Sequence, residues 1–222
     1  MGVRVIEVHE SVFARNDREA ATLRERLAKD GTLLINVMSS PGSGKTTLLT
    51  ALINKMKKDY TILDMDVDIE STLDAQRVAD LTGVGSLQIH NGGLCHIDAE
   101  MTAKALDVLA PSDADIIFLE NIGNLVCPAE FDTGAHLNMM LLSVPEGDDK
   151  PLKYPLMFSV CDLVIISKID TLEYFDFDCD RAVANIRKLN PNAVIVFASA
   201  KTGEGIDGIA SYVKNFYDKI IH

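Results

Sequence analysis

Basic residues are in short supply in this 222-residue chain: 21 Lys and Arg stand against 33 Asp and Glu, a formal net charge of −12 at pH 7. Phosphate backbones are held by clustered cations, so this balance argues against a nucleic-acid partner. Long apolar runs are also missing. No stretch approaches the roughly 18 residues that a membrane helix requires, and the opening Met1-Gly2-Val3-Arg4-Val5-Ile6-Glu7-Val8 is too short and too charged for a signal peptide's apolar core. A soluble, cytoplasmic protein without a membrane partner is expected. Cysteine is sparse, with only Cys95, Cys127, Cys161 and Cys179, and in a chain without a secretory signal reduced thiols or metal ligands are expected instead of a disulfide framework. No repeat or low-complexity linker divides the chain.

What is present is 47% hydrophobic residues, sufficient for one substantial core. We expect a single domain over 1–222, with residues 1–31 as an N-terminal helical extension and 32–222 as the core. After the polar, Arg-rich helical stretch from Ser11 to Lys29, continuous apolar runs alternate with amphipathic segments. The runs are Leu33 to Met38, Thr61 to Met65, Leu87 to His90, Ile116 to Leu119, Met140 to Val144, Leu163 to Ile166 and Ala193 to Phe197. Continuous runs suit parallel strands covered on both faces, and the alternation predicts an α/β fold. Helices are expected after Gly44 and over Thr72 to Asp80, Ala99 to Leu109, Asp178 to Leu189 and Gly205 to Lys219, with stops at Pro111 and Asn190-Pro191. The segment Pro145 to Pro155, with three prolines and two charged clusters, breaks the rhythm and reads as an exposed loop.

The first apolar run leads into Ser39-Ser40-Pro41-Gly42-Ser43-Gly44-Lys45-Thr46-Thr47 and then an apolar helical stretch, the strand, loop and helix context of a P-loop. Gly42, Ser43, Gly44, Lys45, Thr46 and Thr47 would cradle phosphates. The glycines let backbone N–H groups turn inward, the helix N-terminus adds positive potential, Lys45 reaches the outer phosphates, and Thr46 offers its hydroxyl to Mg²⁺. Ser39 stands where the usual pattern has its first glycine. Carboxylates at strand ends on the same edge of the sheet are the candidate magnesium partners: Asp66, Asp68, Asp74 and Glu120, with Glu120 first and Asp68 second. Catalytic roles are expected for Lys45, Thr46, Glu120 and Asp68.

Ser167-Lys168-Ile169-Asp170 ends another buried run and resembles the Asn-Lys-x-Asp element of GTPases. Asp170 would accept from guanine N1–H and the exocyclic amine, with Lys168 along the base plane. Ser199-Ala200-Lys201 resembles the supporting guanine loop. Serine is shorter than the usual asparagine, so Ser167 is expected to tie this loop less firmly to the P-loop.

Cys95 and His96 precede a helix, and Cys127 follows the Glu120-Asn121-Ile122-Gly123-Asn124 segment. Two thiolates and one imidazole near a nucleotide switch form a candidate metal site, and lone buried cysteines are the alternative. Three ligands fall short of the four that a closed zinc site prefers, a deficit that a symmetric dimer would remedy. Asp98 reads as a helix cap or as an orienter of His96. Cys161, Cys179, His9, His90 and His136 read as structural.

From about Val37 to Tyr212 the chain resembles the hydrogenase nickel-incorporation GTPases of the HypB type. The resemblance is carried by the P-loop, Asp68 with Asp74-Ala75-Gln76-Arg77, Leu94 to Asp98, Glu120 to Ala129, Glu146 to Pro155 and Ser167 to Asp170. It implies a SIMIBI-class P-loop fold, with a mostly parallel sheet flanked by helices on both faces. It also implies slow, magnesium-dependent GTP hydrolysis and a GTP-dependent homodimer with Cys95, His96 and Cys127 near the twofold axis. Nickel would pass to the hydrogenase large subunit with a second nickel-maturation factor, and Lys150 or Lys153 would approach the nucleotide or the partner subunit. The Cys-rich and His-rich N-terminal motifs of some family members are not in this sequence. The urease accessory type of metallochaperone is the nearest rival, but its Cys-Pro-His is not matched, because Ala129 follows Cys127-Pro128. A metal-binding module whose nucleotide site serves only stability or dimerisation is the rival of a different class.

Overall fold

The computed structural model describes residues 8–68, 73–110 and 113–221, with side chains from Val12 onward. The expected helix start at Thr72, the stop at Pro111 and the side chain of His9 lie outside the described residues, as does the segment 1–7.

Each apolar run forms a strand: β1 (Leu33–Ser39), β2 (Ile62–Asp68), β3 (Gly85–His90), β4 (Ile116–Gly123), β5 (Leu137–Ser143), β6 (Leu163–Ser167) and β7 (Val194–Ala198). They make one seven-stranded sheet in the order β3-β2-β4-β1-β5-β6-β7, with every neighbouring pair parallel. The helices are α1 (Val8–Lys29), α2 (Lys45–Met56), α3 (Leu73–Thr82), α4 (Ala99–Leu109), α5 (Cys127–Glu130), α6 (Lys150–Lys153), α7 (Pro155–Ser159), α8 (Cys179–Leu189) and α9 (Ile206–Ile221).

Both faces of the sheet are covered. On one, Leu48, Leu52, Ile209 and Val213 of α2 and α9 pack on Leu33, Ile35, Phe118 and Ile165. On the other, Leu23, Leu27 and Leu106 of α1 and α4 pack on Leu34, Met65 and Ile117, and Phe158 and Ile186 of α7 and α8 on Met140 and Val164. This two-sided burial is why the strands read as unbroken apolar runs. The chain leaves β1 toward β2 on one side and β5 on the other side follows β4, so the P-loop after β1 sits at the topological switch, where open α/β sheets bind ligands.

Three expectations need correction. The strand expected over Met140 to Val144 begins at Leu137 and ends at Ser143, because Val144–Glu146 turns into a 3₁₀ helix. Ser143 and Glu146 form a reciprocal capping box there, and Pro145 has no N–H to continue a ladder. Asp68 is the last residue of β2, as expected, whereas Asp66 and Glu120 sit inside the ends of their strands, which run on to Asp68 and Gly123. Finally, the segment Pro145 to Pro155 is only partly an exposed loop, since it forms the short helix α6 and buries Pro151 and Asp148. Asp148 accepts from Asp178 N at 2.6 Å and from Arg181 Nε and a terminal guanidinium nitrogen at 3.0 and 2.6 Å. Those Arg181 hydrogen bonds hold its carboxyl below the usual range.

Candidate functional site

The residues between β1 and α2 close into a phosphate cradle because Gly42 and Gly44 adopt φ of 74° and 96°, a region costly for residues with a Cβ. Ser39 is fully buried. Its hydroxyl donates to Ser40 O at 2.7 Å and accepts from Ser43 Oγ at 2.6 Å and Lys45 Nζ at 3.0 Å. The serine in place of glycine thus supplies an acceptor for the Lys45 ammonium. Thr46 Oγ1 donates to Glu120 Oε1 at 2.8 Å.

Glu120 of β4 is in register with Asp66 of β2, and by strand alternation both carboxylates rise on the α2 side. Glu120 Oε2 and Asp66 Oδ2 are buried without a partner. Burial raises the Glu120 carboxyl to about 8 against the opposing pull of Lys45, and raises Asp66 to about 6. Asp68, Asp74, Lys45 and Thr46 line the adjoining cleft of about 620 Å³. Sequence reasoning ranked Asp68 above Asp66, whereas the register places Asp66 beside Glu120.

A second cavity of about 210 Å³ adjoins the cradle, sharing Gly44, Thr47 and Lys168 with it. Lys168 adopts φ 60° at the end of β6, and its Nζ donates to Gly42 O at 2.7 Å. Asp170 accepts from Ser199 Oγ at 2.7 Å, with Lys201 Nζ 3.6 Å away. The Ser199 hydrogen bond is the main reason the Asp170 carboxyl sits below its usual range. Ala200 and Lys201 also line the cavity. Ser167 corrects the expectation of a loose tie: its hydroxyl donates to Ser43 O at 3.1 Å, so the short side chain does link this loop to the P-loop.

Cys95, in the segment after β3, and Cys127, the first residue of α5, meet with their sulfurs 2.6 Å apart, and His96 Nδ1 lies 3.9 Å from Cys95 Sγ. The Cys95 contact is the first cause of a raised Cys127 thiol, and burial lowers the His96 pKa, favouring the neutral imidazole that ligates metals. A tetrahedral ion about 2.3 Å from each sulfur would hold the pair roughly 3.8 Å apart, so binding opens the pair. Among the described residues no three His, Cys, Asp or Glu side chains are arranged to close around one ion. Asp98 takes the capping role, accepting from Met101 N at 2.8 Å. Cys161 is buried in the α7 layer and Cys179 opens α8, both away from the thiol pair.

The two sites share one connection. A Cβ added at Gly123, the last residue of β4, would lie 3.0 Å from Pro41 Cα, so the strand end abuts the P-loop backbone four residues before Cys127. Two contributors escaped the sequence reading. Phe131 stacks on the His96 ring with centroids 3.7 Å apart, and Asn16 of α1 bonds to Asp132 O and Ala99 N.

The family model for the CobW/HypB/UreG nucleotide-binding domain matches residues 33–197. The hydrogenase maturation factor HypB of Escherichia coli K12 is 43% identical over 204 residues, which are 92% of this chain and 70% of that protein. The crystal structure of HypB from Helicobacter pylori in complex with nickel superposes with a TM-score of 0.87 at 40% identity, covering 92% of this chain and 96% of that one. The signal recognition particle receptor FtsY from Elizabethkingia anophelis, solved with GDP, shares the fold alone, at TM-score 0.55 and 14% identity over 94% of this chain and 77% of its own.

Proposed function

Because the chain belongs to the CobW/HypB/UreG family of P-loop GTPases, we propose that it is a GTP-hydrolysing metallochaperone that delivers nickel during maturation of [NiFe] hydrogenase. The observation that carries this reading is the run from Glu120 to Cys127, which touches the P-loop at one end and the thiol pair at the other. Helix α1 (Val8–Lys29) serves as an extension to one G domain over residues 32–222.

Gly42 to Thr47 hold the phosphates, while Lys168, Asp170 and the Ser199-Ala200-Lys201 loop hold guanine. Asp170, kept ionised by Ser199, accepts two hydrogen bonds that adenine does not offer. Thr46, Glu120 and Asp68, with Asp66 beside them, suit Mg²⁺: buried Glu120 and Asp66 each keep one carboxylate oxygen without a partner, and next to the Thr46 hydroxyl they form a hard-cation donor set. When bound, magnesium supplies charge neutralisation at the phosphates. Lys45 would leave its Ser39 acceptor for the outer phosphates, and Glu120 would hold the cation as a carboxylate. Turnover is slow, as befits a switch.

Cys95, His96 and Cys127 take Ni²⁺ or Zn²⁺ as cargo, and a second copy across a twofold axis supplies the missing ligands. Lys150 bonds Glu146 O at 2.6 Å, and Lys153 pairs with Asp149 at 2.5 Å. Formation of the GTP-bound dimer frees one of them for the nucleotide or the partner subunit. With a second nickel-maturation factor, the protein passes the cargo to the hydrogenase large subunit in the cytoplasm. Among the described residues no helix is long and apolar enough to cross a membrane.

The test uses Glu120→Gln, which keeps an acceptor for Thr46 but removes the charge. GTP hydrolysis should fall on the order of 10²-fold while zinc still binds. Undiminished hydrolysis would remove Glu120 from the reaction. Nickel transfer surviving Lys45→Ala would favour the rival reading of a metal-binding module.

A further inference from the structure

Both ligand-bearing loops are fastened to the same helix, α1, at side chains that lie far from them in sequence. Asn16, 6% exposed, uses both ends of its amide. Its Nδ2 donates to Asp132 O at 2.9 Å, five residues beyond Cys127, and its Oδ1 accepts from Ala99 N at 3.0 Å, three residues beyond His96. Two turns along, Arg24 grips the Asp132 carboxylate with three contacts of 2.6 to 3.1 Å. On the same helix Phe13 lies 5.2 Å, ring to ring, from Phe131, whose other neighbour is the His96 imidazole at 3.7 Å and an interplanar angle of 7°.

We propose that α1 is the positioning element of the sulfur centre, with Asn16 setting the spacing of the two ligand loops and the Phe13–Phe131 pair fixing the plane of His96. The inference rests on reading Cys95, His96 and Cys127 as the cargo site. The thiols sit on short segments: Cys95 is exposed and follows Gly92 and Gly93, both at positive φ, and Cys127 opens the four-residue α5. Such segments hold a bond distance only if something rigid spans them. A buried amide that bonds one backbone group on each segment is such a span, and nothing in the nucleotide site touches it. Ring stacking likewise restricts an imidazole that adjacent chain geometry leaves free to rotate. Any ligand that shifts α1 along its axis would therefore alter metal affinity without contacting the metal.

The experiment compares wild type, Asn16→Ala, Phe13→Ala and Cys95→Ala, each full length, by titration with zinc chloride and nickel chloride and by NMR of the His96 ring protons in metal-free protein. Outer-shell support of this kind is worth roughly 10- to 100-fold in metal affinity. Asn16→Ala should weaken binding by that factor at unchanged guanine-nucleotide affinity, with a shifted nickel–thiolate absorption. Phe13→Ala, a gentler change to the fold, should loosen the ring stack and reduce the upfield ring-current shift of His96. Unchanged affinity in a folded Asn16→Ala protein together with an unchanged His96 shift in Phe13→Ala overturns the proposal. If wild type and Cys95→Ala bind metal equally, the cargo-site reading itself fails, which the metal-free NMR arm separates from failure of the positioning role.

Discussion

Asp64 is fully buried on β2, one row inward from the Asp66–Glu120 pair. Its Oδ2 accepts from Ser86 Oγ at 2.7 Å, and its Oδ1 has no partner. Burial, opposed only in part by the Ser86 bond, raises its carboxyl from 3.8 to about 7. In the unfolded chain the group ionises near its ordinary value, so between pH 4 and 7 the folded state binds more protons and loses stability as pH rises. A shift of about three units at about 1.4 kcal/mol each gives roughly 4 kcal/mol, a large part of the 5–15 kcal/mol typical of a domain. Asp64→Asn stays neutral and keeps the Ser86 acceptor. Its urea-unfolding free energy should match wild type near pH 4 and exceed it by roughly 4 kcal/mol at pH 8, with most of the change between. Taking the difference cancels distant titrations and isolates Asp64 with its coupling to Asp66. A difference that is flat with pH, or one in which wild type gains on the variant as pH rises, would refute the reasoning.

Two further outcomes follow from the same geometry. Gly123→Ala drives a Cβ into the P-loop backbone at Pro41, with contacts of 3.0 to 3.2 Å. It should destabilise the fold by about 1–3 kcal/mol and weaken guanine-nucleotide binding, measured by fluorescence titration, while a Gly208→Ala control on α9, where the nearest atom to an added Cβ is Val196 Cγ1 at 4.0 Å, should leave nucleotide affinity alone. His136 accepts from Leu34 N at 3.1 Å and meets Arg24 O at 2.9 Å, which requires a neutral ring protonated on Nε2. Burial lowers its pKa from 6.5, so its contribution is complete above pH 6.5 and is lost as pH falls toward the folded value. The melting-temperature advantage of wild type over His136→Asn should shrink over that interval.

The strands were legible because burial on both faces writes itself as unbroken apolar runs, and the P-loop because its glycines and lysine have a fixed local order. Asp98 was legible for the same reason, since a cap acts on its own helix. Asn16 was not: its partners lie 83 and 116 residues away, and an asparagine in a polar helix leaves no local pattern. Asp148 was read as part of an exposed loop because its partner Arg181 is 33 residues distant. The Ser167 tie was undervalued because side-chain length says nothing about how closely Ser43 O approaches. Asp66 was placed at a strand end because an acid interrupts an apolar run, yet here the interruption is a buried residue in register with Glu120. The thiol pair needed the fold itself, since 32 residues and a strand separate Cys95 from Cys127.

Coupling between nucleotide and cargo is the central claim, and it is tested most directly by titrating nickel and zinc into protein loaded with GDP or with a slowly hydrolysed GTP analogue, with mass measured in parallel. Reciprocal coupling of the usual size predicts affinities that differ by roughly 5- to 150-fold between the two states, with the tighter complex a dimer. Superimposable curves of equal stoichiometry in both states would contradict the account.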